Sequence, residues 1–173
     1  NGHRSDESVT LHHDIRYATS NLSYHCRLLE VLSGCAYGRL NVTTIETKLQ
    51  ATLPCNECLC ALLDKKSTMD VQASMAAYVY HVIVDTEIPV AGLGKNMLLW
   101  QLFEQIPEKL NAADKFLEKP LAFVACGDGP NAILARQHLM CTWFLIRMVG
   151  TFFSVPDYWQ NHMLKLHDDD LST

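Results

Sequence analysis

Residues 132–154, AILARQHLMCTWFLIRMVGTFFS, form a long apolar segment near the end of the chain. On a helix of about 3.6 residues per turn their apolar side chains fall on nearly every side, which is typical of a helix at the centre of a domain. The most apolar part, 139–155, is short for a bilayer span and contains Arg147 and Gly150. The sequence therefore predicts a buried central helix, without direct membrane insertion of this segment.

Helical patterns also precede this segment. Apolar or small residues at steps of three and four predict a long first helix from Leu11 to Leu32, and the glycines Gly34 and Gly38 end it. Two short helices are predicted next, over residues 43–53 and 56–65. Ser67 stands three residues before Asp70, close to a capping-box arrangement, and predicts the start of a third long helix. Its apolar residues continue to Val82, so we expect this helix to end near Asp85.

A connection rich in glycine and proline, 88–94, separates these helices from the next one. Asn96 can cap the helix predicted over 97–119, in which Pro107 predicts either a kink or the start of a second half. A second break at 126–131 leads into the central helix, and a last amphipathic turn or two is predicted over 158–166.

Together these patterns predict about seven helical segments joined by short links, and no strand. Paired long and short helices favour an all-α fold, an armadillo-like or HEAT-like solenoid of helical hairpins, with a closed helical bundle as the alternative. We expect a flexible leader over 1–10, one helical domain over 11–166, and an acidic tail over 167–173.

The charge of the chain excludes several kinds of partner. The formal net charge is −5, charged residues make up 19%, and lysine and arginine form no block. Such a surface does not attract a phosphate backbone or an anionic lipid surface, so we expect no nucleic acid partner. A charged fraction below the usual value of about 25% predicts that neighbouring domains of a larger polypeptide cover part of the surface.

Three of the seven cysteines, Cys55, Cys58 and Cys60, lie together at the start of a predicted short helix. Thiols at a helix N-terminus can be activated by the helix dipole or can share a metal ion. Structural zinc requires four ligands, however, and no second pair follows at the usual interval. We therefore interpret these cysteines as structural thiols in a reducing, cytosolic compartment, with zinc binding or redox activity as the alternative.

No arrangement of residues indicates catalysis. His25 and His81 lie within apolar helical patterns, where a histidine is usually held in a core or an interface. The glycines of 92–95 lack the earlier glycine and the following Ser or Thr of a phosphate-binding loop. The sequence thus predicts a protein that is not an enzyme and that holds no cofactor.

Two groups of motif residues follow one another in a distinctive order. The first group comprises Tyr24, His25, Cys35 and Gly38, in the first helix and at its end, and Pro54, directly after the second helix. The second group joins two helices across the 88–94 break, and comprises Tyr78, His81, Asp85, Thr86, Glu87, Trp100 and Phe103. In this order, residues 22–156 resemble the RIH domain of inositol 1,4,5-trisphosphate receptors, a block shared with ryanodine receptors.

This resemblance implies a cytosolic regulatory or scaffolding segment of a ligand-gated calcium-release channel at the endoplasmic reticulum or another calcium store. The implied partners are neighbouring domains of the same large subunit, within a homotetramer. The segment would pass conformational change between ligand-binding modules and the pore, and would not hold the ligand because the basic cluster for an inositol phosphate is absent. A ryanodine-receptor-type segment and a stand-alone armadillo-like interaction module are the alternatives.

The motif residues have a structural interpretation as well. Asp85, Thr86 and Glu87 offer side-chain oxygens at a helix end, where backbone amides need acceptors, so we expect them to cap the turn or to bond between helices. Trp100 and Phe103 are large rings that we expect to be buried between neighbouring hairpins.

Overall fold

The computed structural model describes residues 21–37, 42–87, 89–117, 129–156 and 158. Every regular element in these ranges is helical, which confirms the predicted all-α class. The helices are α1 (21–36), α2 (Val42–Thr52), α3 (Cys55–Leu63), α4 (Met69–Val79), α5 (Met97–Leu117) and α6 (Pro130–Ser154). A π-helical turn (Tyr80–Val84) follows α4, and a 3-10 turn (Leu93–Lys95) precedes α5. No helix in these ranges is long and apolar enough to cross a membrane.

The predicted helix positions agree with these bounds to within a few residues, with two differences. Helix α1 continues past Gly34 to residue 36, and α5 runs through Pro107 as one helix. Pro107 is exposed, so water can bind the carbonyl that loses its amide partner there. The leader, the start of the first helix from Leu11, Gly38, residues 159–166 and the acidic tail lie outside the described residues.

The two predicted caps have different outcomes. The Asn96 side-chain oxygen accepts a hydrogen bond from the Leu98 amide at 3.0 Å, so the predicted cap of α5 is confirmed. The capping box at Ser67 is wrong, because α4 starts one residue later than predicted, after Thr68, whose side chain makes no cap hydrogen bond. The Ser67 carbonyl instead accepts a bond from the Gln72 side chain at 3.1 Å.

The core lies among α3, α4, α5 and α6. Helix α4 packs against α3 and α6, and α5 packs against the same two helices, so the four enclose one apolar interior. Its largest fully buried side chains include Tyr78, Leu59, Leu102, Leu145 and Phe152. Each such side chain contributes roughly 1.5–3 kcal/mol through burial, which makes this interior the main source of stability.

Helix α6 is less buried than its composition predicts. Residues such as Leu145 and Met148 are fully buried on one side, but large apolar side chains on the other side are exposed: Ile133, Leu134, Met140, Trp143, Ile146 and Phe153. The prediction of a helix buried all round is therefore wrong for the part of the chain that the structure describes. Apolar residues on every side of a helix indicate that every side packs against something. In α6, the side that carries Trp143 packs against no other part of the described chain.

Helix α1 also has two apolar sides. Cys26, Leu29 and Ala36 face the rest of the chain as buried or half-buried residues. The stripe that we call the α1 outer stripe, Tyr24, Leu28, Val31 and Cys35, has the same helical spacing but is exposed. Residues 26 and 28 are about half a turn apart on a helix, so the two stripes lie on opposite sides.

Candidate functional site

Five motif residues of the second group, Tyr78, His81, Asp85, Thr86 and Glu87, lie at the end of α4 or in the corner that follows it, whereas Trp100 and Phe103 lie on α5. The backbone widens at this corner into the π-helical turn, in which the Asp85 amide donates to the Tyr80 carbonyl at 2.8 Å. Side chains from other elements donate to two carbonyls of this turn: Gln50 Nε2 to Val82 at 2.7 Å, and the Tyr158 hydroxyl to Val84 at 3.3 Å. Since π-helical turns are rare and often occur at functional sites, this corner is the candidate site.

Helix α2 is attached to the corner by two hydrogen bonds. Besides the Gln50 bond, the Tyr78 hydroxyl donates to the Leu49 carbonyl at 2.8 Å, and the Glu87 backbone amide lies near the Glu46 carboxylate. Tyr78 is fully buried, and desolvation raises the pKa of its hydroxyl to about 12, so it stays protonated as a donor. These bonds fix the position of α2 against the end of α4.

Tyr158 holds the corner from the opposite end of the chain. Its hydroxyl lies 3.3 Å from the Val90 amide and 3.4 Å from the Thr86 hydroxyl, as well as bonding to the Val84 carbonyl. Its ring stacks on Phe152 of α6 with a centroid distance of 5.5 Å. The end of α6 is thereby tied to the connection between α4 and α5.

The expected role of the corner oxygens is observed only in part. The Thr86 hydroxyl makes the predicted contact between elements, because it lies within hydrogen-bond distance of the Tyr158 hydroxyl. Asp85 and Glu87 are exposed, and among the described residues no amide bonds to their carboxylates, so a capping role for these two stays a prediction. The acceptors that satisfy amides at this corner are the Tyr80 carbonyl, for the Asp85 amide, and the Tyr158 hydroxyl, for the Val90 amide.

Glu46 is one of the residues at this site, with Gln50 and Tyr158, that the sequence analysis did not single out. It is only 3% exposed, and the Glu87 backbone amide lies near its carboxylate. Burial raises the pKa of its carboxyl, and the nearby carboxylates of Glu87 and Asp85 raise it further. Its one signal in the sequence is its place between Ile45 and Leu49, on the side of α2 that carries the apolar stripe.

His81 lies in the π-helical turn among aromatic rings. Its ring centroid is 5.2 Å from Tyr37, 4.8 Å from Tyr80 and 5.5 Å from Phe144. Partial burial lowers the pKa of His81, partly opposed by the Asp85 carboxylate, and Arg147 lowers it further. His81 is thus half-buried among these rings, whereas His25 is exposed.

Trp100 and Phe103 lie on α5 and face the end of α6. Trp100 Nε1 donates to the Gly94 carbonyl at 2.8 Å, and its ring lies 5.6 Å from Phe152 in an edge-on arrangement. Phe103 lies 5.4 Å from Phe152 as well. Both rings are half-buried between α5 and α6.

The first group of motif residues does not join the corner. Tyr24 packs edge-on against the neighbouring His25 at 5.6 Å, and both are exposed, as is Cys35. Pro54 precedes α3 and separates it from α2. Gly38 lies outside the described residues.

The three clustered cysteines lie in different environments. Cys58 is fully buried, Cys55 is half-buried, and Cys60 is exposed. Desolvation raises the pKa of Cys55 to about 11 and that of Cys58 to about 12. Raised pKa values disfavour the thiolate, which is the nucleophile and the metal-binding form, and this supports the interpretation as structural thiols.

The corner therefore acts as a structural joint in which α2, α4, α5 and the end of α6 are held by hydrogen bonds and ring contacts. Among the residues that the structure describes, no three His, Cys, Asp or Glu side chains are grouped to hold a metal ion.

The sequence matches no protein-family model, and no solved structure matches the fold significantly.

Proposed function

We propose that the chain is a non-enzymatic helical spacer in the cytosolic part of an intracellular calcium-release channel related to inositol 1,4,5-trisphosphate receptors. In this proposal it belongs to a large subunit of a homotetramer at the endoplasmic reticulum or another calcium store. It packs between neighbouring domains of that subunit as one part of a helical solenoid. It transmits conformational change between ligand-binding modules and the pore.

The α1 outer stripe is the observation that carries the proposal. Tyr24 and Val31 are each 63% exposed, although they lie on an apolar stripe with regular helical spacing. A helix at the surface of a complete domain needs one apolar side, whereas a helix between two layers of a solenoid needs two. The opposite stripes of α1 therefore support a further helical layer on the outer side of α1.

The corner supports the second half of the proposal, the transmission of conformational change. It connects helices through a few specific bonds, such as those of Tyr78 and Gln50 to backbone carbonyls. Movement of α2 would therefore be passed to α4 and, through Tyr158, to α6. Such coupling requires two arrangements of the joint, which makes the π-helical turn the element to examine in the intact protein.

The channel assignment is tested with the intact gene product in calcium-loaded vesicles. We expect its gene to encode a subunit that continues into membrane helices, and inositol 1,4,5-trisphosphate to release the stored calcium. Release by ryanodine alone would instead support the ryanodine-receptor-type alternative. A gene product without membrane helices, or vesicles that release no calcium with either ligand, would overturn the channel assignment in favour of a stand-alone interaction module.

A further inference from the structure

An open apolar cleft of about 910 Å³ lies between the second half of α5 and the middle of α6. Leu110 lines it from α5, and Met140, Trp143 and Ile146 line it from α6. Trp143 is 57% exposed, and the other two α6 side chains are each exposed by nearly half. Large apolar side chains grouped in this way on a surface are typical of a protein interface.

Two opposite charges border this apolar surface at different levels. Helices α5 and α6 run antiparallel, because Phe103 contacts Phe152 at one end and Phe116 stacks on His138 at the other. Asp114, which lines the cleft, is therefore level with about residue 140 of α6. Arg147 lies about 10 Å further along α6, at about 1.5 Å per residue.

Both charged groups are available to a partner. Arg147 is exposed, and its guanidinium lies 5.7 Å from the centre of the Trp143 ring. It donates to the Tyr80 hydroxyl through Nε at 3.0 Å and through Nη2 at 2.7 Å, which leaves further N–H groups of its five free. Asp114 is exposed and makes no ion pair within the part of the chain that the structure describes.

We propose that this α5–α6 face binds the same face of a second copy of the chain. A two-fold axis in the plane of the face, midway between Asp114 and Arg147, places Arg147 of each copy against Asp114 of the other. The Trp143 side chains then lie near the axis, where they bury each other. A surface with an acid and a base on either side of an apolar centre is complementary to itself in this way.

The size of the face fits a moderate dimer. Helix α6 has 25 residues and is therefore about 37 Å long, and two adjacent helices are roughly 20 Å wide, which gives an area of roughly 700 Å² per copy. Stable interfaces bury about 800 Å² per partner, so we expect a dissociation constant on the order of micromolar. The pairing depends on this face alone and is separate from the α1 outer stripe that carries the proposed function.

Charge reversal tests the pairing by sedimentation equilibrium of the 173-residue chain. Asp114→Arg and Arg147→Asp should each weaken the dimer about tenfold or more, because each places like charges opposite one another. An equimolar mixture of the two variants should restore it, since the heterodimer contains one native and one reversed pair. Lys95→Asp, an exposed charge reversal at the far end of α5, is the control and should leave the dimer unchanged.

The outcomes are distinct. A wild-type chain that stays monomeric well above micromolar concentration would overturn the proposal, as would a mixture that dimerises no better than its components. If Arg147→Asp does not fold, because Arg147 also bonds to Tyr80, Asp114→Arg alone decides, since the Asp114 side chain makes no hydrogen bond or ion pair with the residues that the structure describes. An unchanged dimer in that variant would overturn the pairing.

Discussion

The backbone carbonyl of Tyr158 lies directly against Gly94, so close that a methyl group on Gly94 would overlap it. The same tyrosine bonds through its hydroxyl to the Val84 carbonyl. Tyr158, which lies beyond the end of α6, thus contacts both ends of the connection between α4 and α5. This relationship explains why a glycine stands in the 3-10 turn before α5.

Gly94→Ala should destabilise the chain, because its methyl group must displace the Tyr158 backbone. Such overpacking costs about 1–3 kcal/mol, and a chain of this size loses roughly 2–4 °C in melting temperature per kcal/mol. Gly150→Ala, at a helical glycine with open space around it, is the control and should leave the melting temperature unchanged or slightly raised. Equal melting temperatures for both variants would contradict the close contact.

Tyr78→Phe should lower the free energy of unfolding by about 1–2 kcal/mol, because the Leu49 carbonyl loses its buried donor. Urea denaturation followed by circular dichroism measures this change. The matched control is Tyr24→Phe, which removes a hydroxyl from an exposed ring and should have no effect. If the two variants were equally stable, the attachment of α2 to the corner would not contribute to folding.

Glu46→Gln should change how stability depends on pH. The pKa of Glu46 is raised in the folded chain above its ordinary value of 4.5, so the folded state favours its protonated form. Its contribution to stability is therefore fully present below pH 4.5 and is lost as the pH rises through the folded-state pKa. The glutamine side chain of the variant has nearly the same shape as glutamate and stays neutral across this pH range.

Urea denaturation of both proteins between about pH 4 and pH 7 measures this difference. The stability of Glu46→Gln relative to the wild type should rise with pH across this interval. Glu104→Gln, at an exposed position on α5, is the control and should follow the wild type. If the difference in the free energy of unfolding between Glu46→Gln and the wild type were the same at every pH, Glu46 would titrate as an ordinary carboxyl.

Trp100→Ala should lower the melting temperature by roughly 5–10 °C, because it removes about 2–3 kcal/mol of burial between α5 and α6. Trp100→Phe should recover part of this loss, since it keeps a ring against Phe152 but loses the bond to the Gly94 carbonyl. Differential scanning calorimetry distinguishes the two. An unchanged melt for Trp100→Ala would show that the ring is not buried.

The helices could be predicted from the sequence because their signals are local. Steps of three and four in the apolar residues define α2 and α3, and Asn96 marks the start of α5 through a bond to an amide two residues away. The break at 88–94 is likewise a local effect of proline and glycine. Signals of this kind do not depend on what each helix packs against.

The contacts between elements could not be predicted in the same way. Glu46 is a charged residue on a helix, and only the approach of the distant corner around Glu87 buries it. The apolar pattern of α6 predicts contact on every side, but it does not distinguish a core from a surface that a partner covers. Trp143 belongs to this apolar pattern and is nevertheless exposed in the structure.

The covering of the α1 outer stripe is tested most directly by labelling thiols with a maleimide in the 173-residue chain and in the intact gene product. Cys35 lies on this stripe and Cys60 lies on α3, and both are exposed in the chain studied alone, so both should react there. In the intact protein we predict that Cys35 becomes protected while Cys60 continues to react. Equal labelling of Cys35 in both proteins would contradict the account, because it would show that no further helical layer covers α1.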